Sequence, residues 1–68
     1  MNTSDRVKTL LDTLNISVAE AARRIGTTRQ NLSYKLSTNR LTVQELEDIA
    51  EAVGAKLQIT FVVPEKQI

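Results

Sequence analysis

The stretch Ser17-Val18-Ala19-Glu20-Ala21-Ala22-Arg23-Arg24-Ile25-Gly26-Thr27-Thr28-Arg29-Gln30-Asn31-Leu32-Ser33-Tyr34-Lys35-Leu36 holds two short helical patterns on either side of a glycine. Ser17 and Glu20 have the spacing of a capping box, in which each side chain satisfies the other's backbone donor, so a helix is predicted to start at Val18. Val18, Ala21, Ala22 and Ile25 form its inward face, and the small Ala22 lets another helix backbone come close. Gly26 stands where a helix closes with positive φ. Thr28 then caps a helix predicted over residues 29–37, with Leu32 and Leu36 one turn apart on its buried side. Ala22 lies four residues before Gly26 and Leu32 six residues after it. A small residue at a crossing, a permissive turn and an apolar anchor beneath the second helix are what a helix-turn-helix needs.

Outward from this unit, Val7, Leu10, Leu11 and Leu14 make a helical stripe. They predict a first helix over residues 5–14, capped by Thr3 or Ser4 and ended by Asn15, which tolerates the left-handed conformation. Residues 37–40 (Ser-Thr-Asn-Arg) read as a loop. Thr42-Val43-Gln44-Glu45 is a second capping box, with Leu41 positioned to staple onto Leu46. The fourth helix runs through Val43, Leu46, Ile49, Ala50 and Val53 to a stop at Gly54. From Lys56 the period becomes two: Leu57, Ile59, Phe61 and Val63 alternate with Lys56, Gln58, Thr60 and Val62 up to Pro64, the pattern of a β-strand. No other stretch offers this strand a partner, and unpaired backbone groups beside a buried face are costly. The same strand of a second copy, paired antiparallel about a two-fold axis, answers that need, with Leu57, Ile59, Thr60, Phe61 and Val63 at the interface. The fold expected is thus mainly α: a compact four-helix helix-turn-helix domain over residues 1–54, and a dimerisation strand with a short tail over residues 55–68.

Composition narrows the chemistry. A chain of 68 residues is one domain at most and buries little core, so it gains from a second chain. Cysteine and histidine are both absent, which removes disulfides, thiolate sites, the commonest metal ligand and the usual general base. No metal or cofactor is expected. Glu45, Glu47, Asp48 and Glu51 belong on an exposed helix face and no nucleophile has a base near it, so an enzyme is not expected. No run approaches a membrane span, and the polar start lacks a signal-peptide core, pointing to a cytoplasmic protein without membrane contact. The net charge of +1 hides a division: residues 1–40 carry seven bases against three acids, residues 41–68 two bases against five acids. A polyanion is expected to meet the first half.

With Ala21-Ala22, Ile25-Gly26-Thr27-Thr28, Leu32-Ser33 and the run Leu46-Glu47-Asp48-Ile49-Ala50-Glu51-Ala52-Val53-Gly54 in view, residues 5–54 resemble the lambda-repressor/Cro (Xre) family of DNA-binding domains. The short chain with a strand after the fourth helix is similar to the small Cro-type members, in which such a strand builds the dimer. The resemblance implies sequence-specific binding of double-stranded DNA by a homodimeric transcriptional regulator, a repressor rather than an activator. It implies base contacts at Arg29, Gln30 and Tyr34, with Asn31 beside them. An arginine suits guanine O6 and N7, and Gln30 or Asn31 suits adenine N6 and N7. Ser17, Thr27, Thr28, Ser33, Lys35, Asn39 and Arg40 are the expected phosphate contacts. Val18 stands where the family commonly places a glutamine that touches phosphate, which shifts that contact to backbone N–H groups. Leu36 lies one residue beyond the family's usual second anchor. Two-fold symmetry implies a pseudo-palindromic operator with half-sites roughly 34–36 Å apart. The competing reading is an antitoxin-type module that binds a toxin or other protein partner through the strand edge and represses its own operon.

Overall fold

The computed structural model describes residues 2–63, and within them the chain forms four helices. They are α1 (Thr3–Leu14), α2 (Val18–Ile25), α3 (Arg29–Thr38) and α4 (Val43–Ala52). Each starts on a side chain that accepts a backbone N–H left free by the first turn: Asn2, Ser17, Thr28 and Thr42 in order. Such a cap contributes about 1 kcal/mol. The box at Thr42 and Glu45 forms in both directions, as expected. At Ser17 only half of it forms. The Ser17 hydroxyl accepts the Glu20 amide at 3.1 Å, but the Glu20 carboxylate is drawn to Arg23 and Arg24.

All four helices end alike. Asn15, Gly26, Asn39 and Gly54 take positive φ (61°, 79°, 54° and 75°). The next residue's amide then reaches back five residues, Ile16 to Leu11, Thr27 to Ala22, Arg40 to Lys35 and Ala55 to Ala50, at 2.8–2.9 Å. These bonds satisfy carbonyls that the last turn leaves open. A Cβ built on Gly26 would meet nothing within 4 Å, so its backbone angle alone asks for glycine there.

Three boundaries differ from expectation, the smallest at the fourth helix, which ends at Ala52 with Val53 as its cap. The first helix opens at Thr3 under an Asn2 cap, two residues earlier than residues 5–14 predict, because Asn2 and Asp5 form a capping box of their own. Ser4, expected as a cap, is instead inside the helix and 2% exposed. The third helix continues through Ser37 to Thr38, and the loop begins only at Asn39.

The core is one cluster: Val7 and Leu11 of α1, Ala21 and Ala22 of α2, Leu32 and Leu36 of α3, and Ile49 of α4. Ile16, Val18, Ile25, Leu41, Leu46 and Val53 close around it. Ala21, Ala22 and Leu32 are each about 1% exposed, so α2 and α3 meet with almost no solvent between them. Leu36 is buried as well, at 4% exposure. Burial of a leucine contributes about 1.5–3 kcal/mol, so these few contacts fix the angle between the helices. No helix among the described residues is long and apolar enough to cross a membrane.

Residues 55–63 form no strand within the single chain. Leu57 is half-buried, whereas Ile59, Phe61, Val62 and Val63 are exposed, Phe61 at 91%. The reason is the one legible in the sequence: among the described residues no second strand exists to pair with. Pro64, where the strand was expected to end, and the tail at residues 65–68 lie outside the described residues.

Candidate nucleic-acid interface

Once Leu32 and Leu36 are buried, the period of the helix decides what α3 shows to solvent. Gln30, Tyr34 and Ser37 recur one turn apart on the opposite face and are all exposed, Tyr34 at 56%. Arg29 and Ser33 share one flank, the first exposed and the second half-buried; Asn31 and Lys35 share the other. The first turns of α1, α2 and α4 carry Asp5, Glu20 and Glu45, which complement the positive end of a helix. The first turn of α3 carries no acid and begins with Arg29. Its N-terminus is therefore the one of the four without its own carboxylate.

The expected contact residues divide by what already occupies them. Among the described residues, the side chains of Arg29, Gln30, Ser33, Tyr34 and Arg40 take part in no hydrogen bond or ion pair. The others are engaged. Asn31, expected to read a base, donates its amide Nδ2 to Thr27 Oγ1 at 2.8 Å, so that amide is turned back to the turn preceding α3. Thr28 Oγ1 accepts the Asn31 backbone amide at 3.1 Å, and Ser17 Oγ accepts that of Glu20. Both hydroxyls act as caps first and retain only their own proton to donate.

Asn39, expected at a phosphate, does two structural jobs. Its left-handed backbone closes α3, and its Oδ1 accepts both the backbone N–H of Ser4 (3.2 Å) and the Ser4 hydroxyl (3.0 Å). One amide oxygen thereby fastens the start of α1 to the end of α3. Lys35, also expected at a phosphate, is ion-paired through Nζ with Glu45 Oε2 of α4, both side chains only about a quarter to a third exposed. The Lys35 ammonium and the Thr42 amide together hold the Glu45 carboxyl below the usual range.

Glu20 binds both arginines of α2. Arg23 and then Arg24 hold its carboxyl down to about 2, and Glu20 in turn raises the Arg23 guanidinium above its ordinary value. Arg24 also donates to the Ala52 carbonyl at 3.2 Å, placing a cation against the closing turn of α4. Arg23 and Arg24 are thus paired with Glu20 on the exposed face of α2.

Sequence reasoning ends the helix at Ser37 and counts it among no contact residues, although the helix runs on to Thr38 and carries Ser37 onto the same face as Gln30 and Tyr34. Its hydroxyl donates to the Tyr34 carbonyl at 3.0 Å, as does that of Thr38 at 2.7 Å. The readable signal was Asn39: an asparagine suited to left-handed backbone ends this helix as Asn15 ends the first.

No protein-family model, curated protein or solved structure matches this chain.

Proposed function

We propose that the protein binds double-stranded DNA sequence-specifically as a homodimer and represses transcription, with α3 in the major groove. The observation that carries this reading is the solvent side of α3, where Gln30 and Tyr34 on the outer face and Arg29 on the adjoining flank stand free of internal partners on a helix whose opposite face is locked by Leu32 and Leu36. Free donors on a rigid helix are what direct readout requires, since bidentate contacts to base edges need side chains that lose no internal bond on binding. Arg29 suits a guanine, Gln30 an adenine, and Tyr34 a thymine methyl or a phosphate. The acid-free start of α3 and the unengaged Arg40 suit phosphates at the rim of the groove.

Replacing Arg29 with alanine is expected to lose about 1–3 kcal/mol at one base position and to relax the preference there. Arg40→Ala instead weakens all sequences alike and flattens the salt dependence. Selection from random duplex DNA distinguishes the two variants; an unaltered site preference for Arg29→Ala refutes its assignment as a base reader.

The dimer rests on the tail. Ile59 and the run Phe61-Val62-Val63 expose apolar side chains at 59%, 91%, 81% and 61%. Beside it an open groove of about 440 Å³ runs between α1, α4 and residues 55–59, lined by Leu10, Val43, Leu46, Ile49, Leu57 and Ile59 among others. A second copy's tail paired antiparallel with this one forms a two-stranded ribbon, satisfies the ladder and covers the apolar side chains together. Ile59→Pro removes a ladder donor and is expected to yield monomers. Sedimentation at micromolar concentration reads this directly, and a variant that remains dimeric moves the interface elsewhere.

A further inference from the structure

The ion pair between α3 and α4 has a consequence for the interface. Of the seven bases in residues 1–40, Arg23, Arg24 and Lys35 are held by carboxylates. The pairs of Arg23 and Arg24 with Glu20 join neighbours three and four apart on one exposed helix face, and such pairs exchange readily with solvent ions. The pair of Lys35 with Glu45 is different in kind. It bridges two helices, both side chains are half-buried, and its acceptor is fixed from the far side, because Glu45 Oε1 accepts the Thr42 amide at 2.9 Å while Oε2 faces Lys35. The carboxylate cannot follow the ammonium outward without opening the cap of α4. Lys35 consequently meets a half-buried carboxylate that the cap of α4 already holds in place.

We propose that Glu45 is an intramolecular competitor with DNA phosphate for Lys35, withholding that ammonium from the backbone and so lowering sequence-independent affinity relative to sequence-specific affinity. This rests on the DNA-binding reading above and assigns to Glu45 and Lys35 a role in setting specificity without contact to a base. Exchanging the carboxylate for a phosphate replaces one anion by another, so the exchange adds little while it breaks a positioned pair. The free cations of this region are then Arg29 at the opening of α3 and Arg40 beyond its end. Positive charge is left where bases are read and masked along the flank of Asn31 and Lys35. Non-specific affinity scales with the number of phosphates neutralised, and the ratio of specific to non-specific binding is what selects a site among many competitors.

Glu45→Gln is the test, because glutamine at this position of a capping box still accepts the Thr42 amide but no longer carries charge. For duplex DNA of arbitrary sequence the variant is expected to bind several-fold more tightly. The slope of log K against log salt should steepen by about one, the contribution of one added phosphate contact. Preference for a selected site over arbitrary duplex should fall. Lys35→Met in the natural background should leave the slope unchanged, and the Glu45→Gln, Lys35→Met pair should return it to the natural value. An unchanged slope in Glu45→Gln overturns the proposal. So does a steeper slope that survives in the double variant, since the effect would then be the loss of a repelling charge rather than a freed lysine. If Glu45→Gln fails to fold by circular dichroism, Lys35→Met alone decides: a slope shallower by about one means Lys35 already contacts phosphate. A natural protein with no salt-dependent affinity for any duplex defeats the functional reading itself, whereas ordinary binding with an unaltered Glu45→Gln defeats only this assignment.

Discussion

Replacing Asn39 with alanine is expected to lower the free energy of unfolding by about 2–5 kcal/mol, far more than an exposed residue in a loop normally contributes. Two independent losses add. Asn39 holds φ at 54°, a region that costs an alanine about 1–2 kcal/mol. Its Oδ1 also accepts the amide and hydroxyl of Ser4, which is 2% exposed, and a buried polar group left without its partner costs about 1–3 kcal/mol. Asn39→Gly separates the terms, because glycine adopts the left-handed backbone freely but supplies no acceptor. It should recover only the backbone part of the loss, about 1–2 kcal/mol. Urea titration followed by circular dichroism, at one fixed protein concentration, measures all three proteins. An alanine variant within about 0.5 kcal/mol of the natural chain shows that the link between α1 and α3 carries no weight.

Leu32→Ala should be as damaging or worse. Leu32 is 1% exposed and belongs to the core cluster contributed by all four helices, so its truncation would leave a hole within that cluster. Large-to-small changes of this type cost about 2–5 kcal/mol, and the methyl groups of the α2 alanines are too short to fill the space. Single cores of this size supply only about 3–5 kcal/mol in total, so the variant is expected to be largely unfolded at room temperature. A cooperative thermal transition close to that of the natural chain would show that the α2–α3 contact is not what orients the outer face of α3. The same substitution at Tyr34 removes an exposed ring and should leave stability nearly unchanged, which distinguishes the two faces of the one helix.

How much of this was readable beforehand depended on the range of the interaction. Local chemistry was legible: Ser17, Thr28 and Thr42 cap the helices they were expected to cap, and Asn15 and Gly26 close those before them, because each bond spans only three to five residues. Asn39 was equally local as a helix end and was passed over only because Ser37-Thr38 resemble a loop in composition. Its second role was not legible at all, since Ser4 and Asn39 lie 35 positions apart and meet only when α1 and α3 pack. Glu20 illustrates competition between local bonds: the same carboxylate can close a box at Ser17 or bind two arginines one turn ahead, and the charged partners win. Lys35 and Glu45 are ten residues apart across a loop, and their pairing follows from the angle between α3 and α4 rather than from spacing. For the contact residues this mattered most. Residue type and position on α3 pointed to Arg29, Gln30, Asn31 and Tyr34 alike, but the turn at Thr27 engages one of them and leaves three free. The alternation from Leu57 to Val63 was legible as a strand pattern, while a ladder needs a second strand that the described residues do not supply.

The most direct measurement is a selection of bound sequences from random duplex DNA by the purified protein, with affinity for the winners followed over a salt series. The account predicts enrichment of a two-fold symmetric site with half-sites roughly 34–36 Å apart, and an affinity that falls steadily as salt rises. Failure of any duplex to be retained above background at low salt would contradict it.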